Sequence, residues 1–168
     1  MRERNRKVKT IPEMAEIAGR LRSEGRRLVL ANGCFDIIHV GHIRYLEGAR
    51  AAGDLLLVAV NGDRSVRALK GDGRPLMPAD ERAEIVASFG CVNYVIIFDE
   101  PTVDHVLTRI QPAVHAKGTD YTPESVPERE TVRSYGGEVA IVGDRKCHAT
   151  RNIIDIIVRR FSARTCGG

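Results

Sequence analysis

Two histidines three residues apart, His39 and His42, flank Gly41 just after a short apolar run. At a helix start, that spacing brings both imidazoles to one side. The first turn of a helix also offers unpaired N–H groups and the positive end of its dipole. Together these groups form a cradle for phosphate, able to stabilise charge that grows in a transition state. Gly33 lets the chain turn sharply after the run, and Gly41 leaves the main chain open to a ligand. No third ligand has a spacing suited to zinc. Neither G-x-G-x-x-G nor G-x-x-x-x-G-K-[ST] occurs, which disfavours a dinucleotide dehydrogenase or a P-loop NTPase.

These residues need a scaffold, and the chain supplies a regular one. Thr10-Ile11-Pro12-Glu13 reads as a capping box opening a helix, with Met14, Ile17, Ala18 and Leu21 on one face and Gly25 as its stop. Residues 28–31 form the apolar run before the histidines. Further apolar runs at 55–60, 92–98, 113–116 and 139–142 predict four more strands. Helical patterns lie between and after them, at 43–52, 65–69, 78–88, 102–110, 127–135 and 149–161. The fold class expected is α/β: a Rossmann-like, doubly wound, parallel five-stranded sheet with helices on both faces. In such sheets ligands bind beyond the carboxyl ends of the strands. The polar segments 32–42, 61–63, 117–121 and 143–151 all fall there, which is the best evidence in the residues themselves for a site.

Composition agrees with one enzyme-sized domain. The chain has 168 residues, 43% of them hydrophobic, enough for a real core. No apolar run approaches the roughly 20 residues that span a bilayer. The basic arm 1–10 has no apolar segment behind it and does not read as a secretion signal, so a soluble, cytoplasmic protein is expected. The arm itself reads as a solvated tail, residues 11–161 as the domain, and 162–168 as a flexible end. The net charge of +4 suits a polyphosphate ligand, whereas aromatics at 5% with no basic–aromatic interleaving argue against nucleic acid. Cys34, Cys91, Cys147 and Cys166 form no C-x-x-C pair; Cys91 reads as a buried apolar residue and Cys166 as an exposed thiol.

Residues 32–42, with His39-Val40-Gly41-His42 as an H-x-G-H motif, resemble the signature of the cytidylyltransferase-like nucleotidyltransferases. The likeness covers about residues 27–160. Within it, the segments 58–63, 69–75 (LKGDGRP), 117–121 (KGTDY) and 136–139 are similar to bacterial sugar-1-phosphate members, in particular the heptose 1-phosphate adenylyltransferase branch. That branch also occurs as the C-terminal half of a bifunctional kinase–transferase. The resemblance implies transfer of AMP from ATP to heptose 1-phosphate by direct in-line attack, with magnesium accompanying ATP and no metal bound by protein ligands alone. It also implies a homodimer acting without nucleic acid or membrane.

Roles carry over by position. His39 and His42 are expected at the triphosphate, with Lys70 and Thr150 as further catalytic groups. Gly33, Cys34, Phe35 and Gly41 should surround the nucleotide. Asp36 either orders the loop or holds a magnesium-bound water. Lys117, Gly118 and Asp120 match the segment near the nucleobase and ribose. Arg145 and His148 are further nucleotide candidates, and Asp63, Arg74 and Arg151 are candidates for the sugar phosphate. One departure stands out. The family opens its last helix with a Ser-Thr-Thr or Ser-Thr-Ser run, where this chain has His148-Ala149-Thr150-Arg151, keeping only Thr150 as a hydroxyl. Two other readings stay open: a cytidylyl- or guanylyltransferase acting on a polyol or other sugar phosphate, and a nucleotide-binding subunit without turnover.

Overall fold

The computed structural model describes residues 6–144 and 150–162. Helix α1 (Ile11–Ser23) begins as its sequence dictates. The Thr10 hydroxyl accepts from the Glu13 N–H, and the Glu13 carboxylate accepts in return from the Thr10 N–H at 2.7 Å. Then follow β1 (Leu28–Gly33), α2 (Val40–Ala51), β2 (Leu55–Asn61), α3 (Asp63–Lys70), α4 (Ala79–Ala87) and β3 (Tyr94–Phe98). The chain continues through α5 (Asp104–Ile110), β4 (Val114–Gly118), α6 (Arg129–Ser134), β5 (Glu138–Val142) and α7 (Thr150–Phe161).

All five strands are parallel, in the order β3-β2-β1-β4-β5. The order reverses direction at β1, between β2 and β4. That is the switch point at which a crevice opens beyond the strand ends. Alternation along the strands divides the core into two layers. Leu28 and Leu30 of β1 and Leu55, Leu57 and Ala59 of β2 pack with α1 and α5 on one face. Val29, Ala31, Leu56, Val58 and Val60 pack with Leu46 and Ala49 of α2 and with α4 on the other. This is the doubly wound architecture the sequence predicts.

The differences are local. The strand at 92–98 starts only at Tyr94, because Val92 closes a turn onto Phe89 and Asn93 bridges to β2. The 65–69 helix is longer at both ends, running from Asp63 to Lys70 as α3. The 102–110 helix starts at Asp104, with Val103 at the cap position and Thr102 outside it. The arm is not wholly solvated: Val8 pairs with Val95 at the β3 edge, and Lys7 Nζ donates to the Phe89 carbonyl. Cys91 is only partly buried. Residues 145–149, which carry the Arg145 and His148 candidates, and residues 163–168, with Cys166, lie outside the described residues, as does Cys147.

One buried charge ties the carboxyl ends together. Arg82 of α4 is 0% exposed. Its Nε donates to the Met77 carbonyl, its Nη1 to the carbonyls of Cys34 and Asn61, and its Nη2 to Asp63. The guanidinium therefore joins the ends of β1 and β2, the start of α3 and the segment before α4. Removing it leaves buried carbonyls without donors. Arg82→Ala should lower unfolding free energy by about 3 kcal/mol, the scale of breaking a buried charged network. Asp63→Asn, at a half-exposed partner, should cost under about 1 kcal/mol. Urea denaturation of the two variants checks the contrast.

Candidate active site

The loop from β1 to α2 is set by Phe35. Its backbone is in the left-handed region, φ 49°, which a bulky residue adopts only when packing imposes it. Its ring is buried in the α2-side layer. A Cβ on Gly33 would lie 3.1 Å from that ring, so the glycine permits the tight return of the chain. Asp36 follows, 1% exposed. Its carboxylate accepts from Arg74 Nε at 2.5 Å and from the backbone N–H groups of Leu76 and Met77 at 2.8 and 3.0 Å. The 74–77 segment is thereby fastened against the β1 loop.

His39 caps α2 in an extended conformation. Its backbone N–H donates to Nδ1 of His42 at 3.4 Å, and the two rings stack with centroids 3.9 Å apart. Phe35 covers His42 from another side at 5.3 Å. Burial, with the neighbouring His39 ring second, pushes the His42 pKa down to about 4. Because Nδ1 accepts a hydrogen bond, neutral His42 carries its proton on Nε2. Burial also pushes the Cys34 thiol up, so it stays protonated.

A cavity of about 810 Å³ opens over these groups, within the range of small-molecule sites. It brings together most of the residues the sequence singles out. Gly33, Cys34, Phe35, Asp36, His39, Gly41 and His42 form one wall. Lys70 and Arg74 stand on the β2 side, Lys117 and Gly118 end β4 with Asp120 just beyond, and Thr150 and Arg151 begin α7. The Thr150 hydroxyl donates to the Ile37 carbonyl at 3.3 Å, which closes α7 onto the β1 loop.

Three expected residues stand differently. Asp63 does not line the cavity: it is turned to Arg82 at 2.7 Å, so it shapes the site from behind rather than facing a sugar. Arg74 lines the cavity, but its charge is shared with Asp36. Lys117 is also engaged, 3.3 Å from Glu128 and 4.9 Å from the Tyr121 ring centre. Sequence reading passed over Arg44, which holds Asp144 at 2.7 Å, and Tyr45, whose hydroxyl donates to the Ala116 carbonyl. Both lie one helical step beyond the motif, on the same face as His42 or its neighbour, and that spacing was the available signal. Asn32 and Glu128 were missed as well, since a polar residue near the end of a strand and a glutamate in a loop carry no pattern of their own.

A parallel sheet with paired imidazoles at a helix start over its switch point is the arrangement that the H-x-G-H resemblance to nucleotidyltransferases implies. Residues 30–162 match the family described as cytidylyltransferase-like, and the chain belongs to that family. Among individual relatives, it is 45% identical over 159 residues to the bifunctional protein HldE of Geobacter sulfurreducens, covering 95% of this chain and 32% of that protein. It is 49% identical over 151 residues to the bifunctional protein HldE of Geotalea uraniireducens, covering 90% of this chain and 31% of the relative. The chain thus spans about a third of the length of these curated relatives. A lipopolysaccharide core biosynthesis protein from Thermoplasma volcanium shares the fold, with a TM-score of 0.62 at 23% identity over 73% of this chain and 100% of that one. No helix among the described residues is long and apolar enough to cross a membrane.

The histidines make stability depend on acid in a defined sense. Burial depresses the folded-state pKa values of His42, to about 4, and of His115, to about 3. Below an unfolded value of 6.5 the unfolded chain therefore binds more protons, and stability falls as pH drops from about 7 towards 4. His42→Gln should flatten that fall without abolishing it, because His115 continues to contribute. Denaturant midpoints measured across pH 4–7.5 test this, and parallel curves for the two proteins would refute it.

Proposed function

We propose that the chain transfers AMP from ATP to a sugar 1-phosphate, heptose 1-phosphate foremost, giving an ADP-sugar and pyrophosphate. The observation that carries this reading is the convergence of His39, His42, Lys70 and Thr150 on one cavity over the switch point. The motif resemblance supplies the reaction and the acceptor class, and the similarity to bifunctional HldE proteins supports the nucleotidyltransferase assignment.

An oxygen of the acceptor phosphate attacks the α-phosphorus of ATP. The bond from that phosphorus to the bridging oxygen breaks in line, and pyrophosphate leaves with the electron pair. Such a reaction needs positioning and charge neutralisation rather than a protein nucleophile. His42 is a neutral donor on this reading, offering Nε2–H to the phosphates, with the His39 ring stacked against it. Lys70, at the end of α3, adds a point charge, and the first turn of α2 adds its N–H groups. Asp36 orders the loop. Lys117, Gly118 and Asp120 flank the base and ribose. A Cβ at Gly118 would meet Asp120 Oδ1 at 2.8 Å, so this glycine lets the Asp120 carboxylate fold back over the strand end. Arg151, and Arg145 and His148 in the undescribed segment, are candidates for the remaining phosphate charge.

Among the described residues no group of three His, Cys, Asp or Glu side chains could hold a metal. Asp36, one of the carboxylates lining the cavity, is already engaged by Arg74 and two N–H groups. On this reading magnesium enters on the phosphates of ATP, as part of the substrate.

A pyrophosphate-release screen crossing ATP, CTP, GTP and UTP with heptose 1-phosphate, glycerol 3-phosphate and other sugar phosphates tests the reading. ATP with heptose 1-phosphate should be fastest. A strong preference for CTP would sink it, and nucleotide binding without release from any pair would make the chain a binding subunit. His42→Ala should cut turnover by roughly 100-fold, the scale of losing one transition-state donor; an unchanged rate would remove His42 from the machinery.

A further inference from the structure

Behind the strand ends lies a row of polar groups that the phosphate chemistry does not use. Asn32 is the last but one residue of β1, and His115 and Lys117 lie on the adjacent strand β4. The Asn32 side-chain oxygen lies 3.1 Å from His115 Nε2 and 3.5 Å from Lys117 Nζ. Lys117 is in turn held by Glu128, and His115 and Glu128 are 0% and 7% exposed. Two donors therefore converge on one amide oxygen.

This fixes which way the carboxamide points. With the amide reversed, its NH₂ group would face the Lys117 ammonium, a like-polarity contact at low dielectric. The oxygen is locked inward and Nδ2 outward. Asn32 lines the large cavity, and among the described residues nothing accepts a hydrogen bond from its Nδ2. The lock also sets the His115 tautomer: the proton is on Nε2, and Nδ1 is left as a buried acceptor without a partner. That orphan has a cost, and what it sustains is a donor held ready at the cavity wall.

The donor stands on a particular side. Asn32 continues the alternation of Leu28 and Leu30, which belong to the α1-side layer. The histidines rise from α2, which packs on the opposite layer. In an in-line displacement the attacking and leaving oxygens lie on opposite sides of phosphorus. A triphosphate on the histidine side leaves the acceptor on the Asn32 side.

We propose that Asn32 is a specificity-determining residue of the acceptor subsite, its oriented Nδ2–H donating to a phosphate oxygen of the attacking substrate. The proposal rests on the transfer reaction put forward above. It gives Lys117 and His115 a positioning role, holding the amide.

The test uses the full chain with Asn32→Asp, an isosteric change that keeps the inward acceptor, improves its pairing with Lys117 and replaces the outward donor with a carboxylate oxygen. With ATP saturating, KM for heptose 1-phosphate should rise roughly 10-fold or more, the scale of a hydrogen bond to a charged group, while KM for ATP stays within about twofold. Unchanged KM for the sugar phosphate overturns the proposal, as does an equal rise for ATP. A second readout does not need turnover. The Asn32 side-chain amide signal, identified by its loss in Asn32→Asp, should shift on titration with heptose 1-phosphate and not with ATP. A shift in a wild-type protein that releases no pyrophosphate would sink the transfer reaction and keep the phosphate contact. A signal unmoved by saturating sugar phosphate, or moved by ATP alone, overturns the contact itself.

Discussion

The carboxyl edge of this sheet is held by two buried charges of opposite sign that never meet. Arg82 gathers the main-chain oxygens of Cys34, Asn61 and Met77, and Asp36 gathers the N–H groups of Leu76 and Met77 together with Arg74. A loop at a strand end has carbonyls and N–H groups with no ladder partners. Here a guanidinium takes the first kind and a carboxylate the second. Both act on the same two segments, the β1 loop and the 74–77 turn. The positions of His39, His42 and Lys70 are downstream of that arrangement, since α2 and α3 start from the strands it joins.

The architecture also separates the tasks of the site by layer. Side chains on one face of β1 enter the layer beneath α2, and those on the other enter the layer beneath α1. Residues reaching the cavity from the two layers meet only over the strand tips. A reaction between two phosphorylated substrates gains from this, because each can be gripped from its own side while the reacting atoms share the gap.

Much of this was legible in the residues. The five strands and their parallel direction followed from apolar runs separated by helical patterns, because buried parallel strands read as near-continuous apolar stretches. The H-x-G-H stretch was legible for the same reason: its spacing has a geometric meaning. Asp63 shows where the reading failed. It follows a strand and carries charge, which are the marks of a ligand contact, but Arg82 lies nineteen positions later and its burial left no trace in the pattern around it. The 7–9 segment shows a second limit. Its lysines suggest solvent, yet an unpaired sheet edge captured Val8. Asn32 shows a third, since the direction of an amide depends on partners some eighty residues away.

Helix α7 closes the cavity through Thr150 and Arg151, and none of its twelve residues is buried. Its first turn is also where the chain departs from the hydroxyl run of its family. A helix that contributes nothing to the core can be rewritten at little expense in folding free energy. Changes along it are therefore read almost purely as changes in ligand preference. Of the walls around this site, the one least bound by stability is the one with most freedom to explore new substrates.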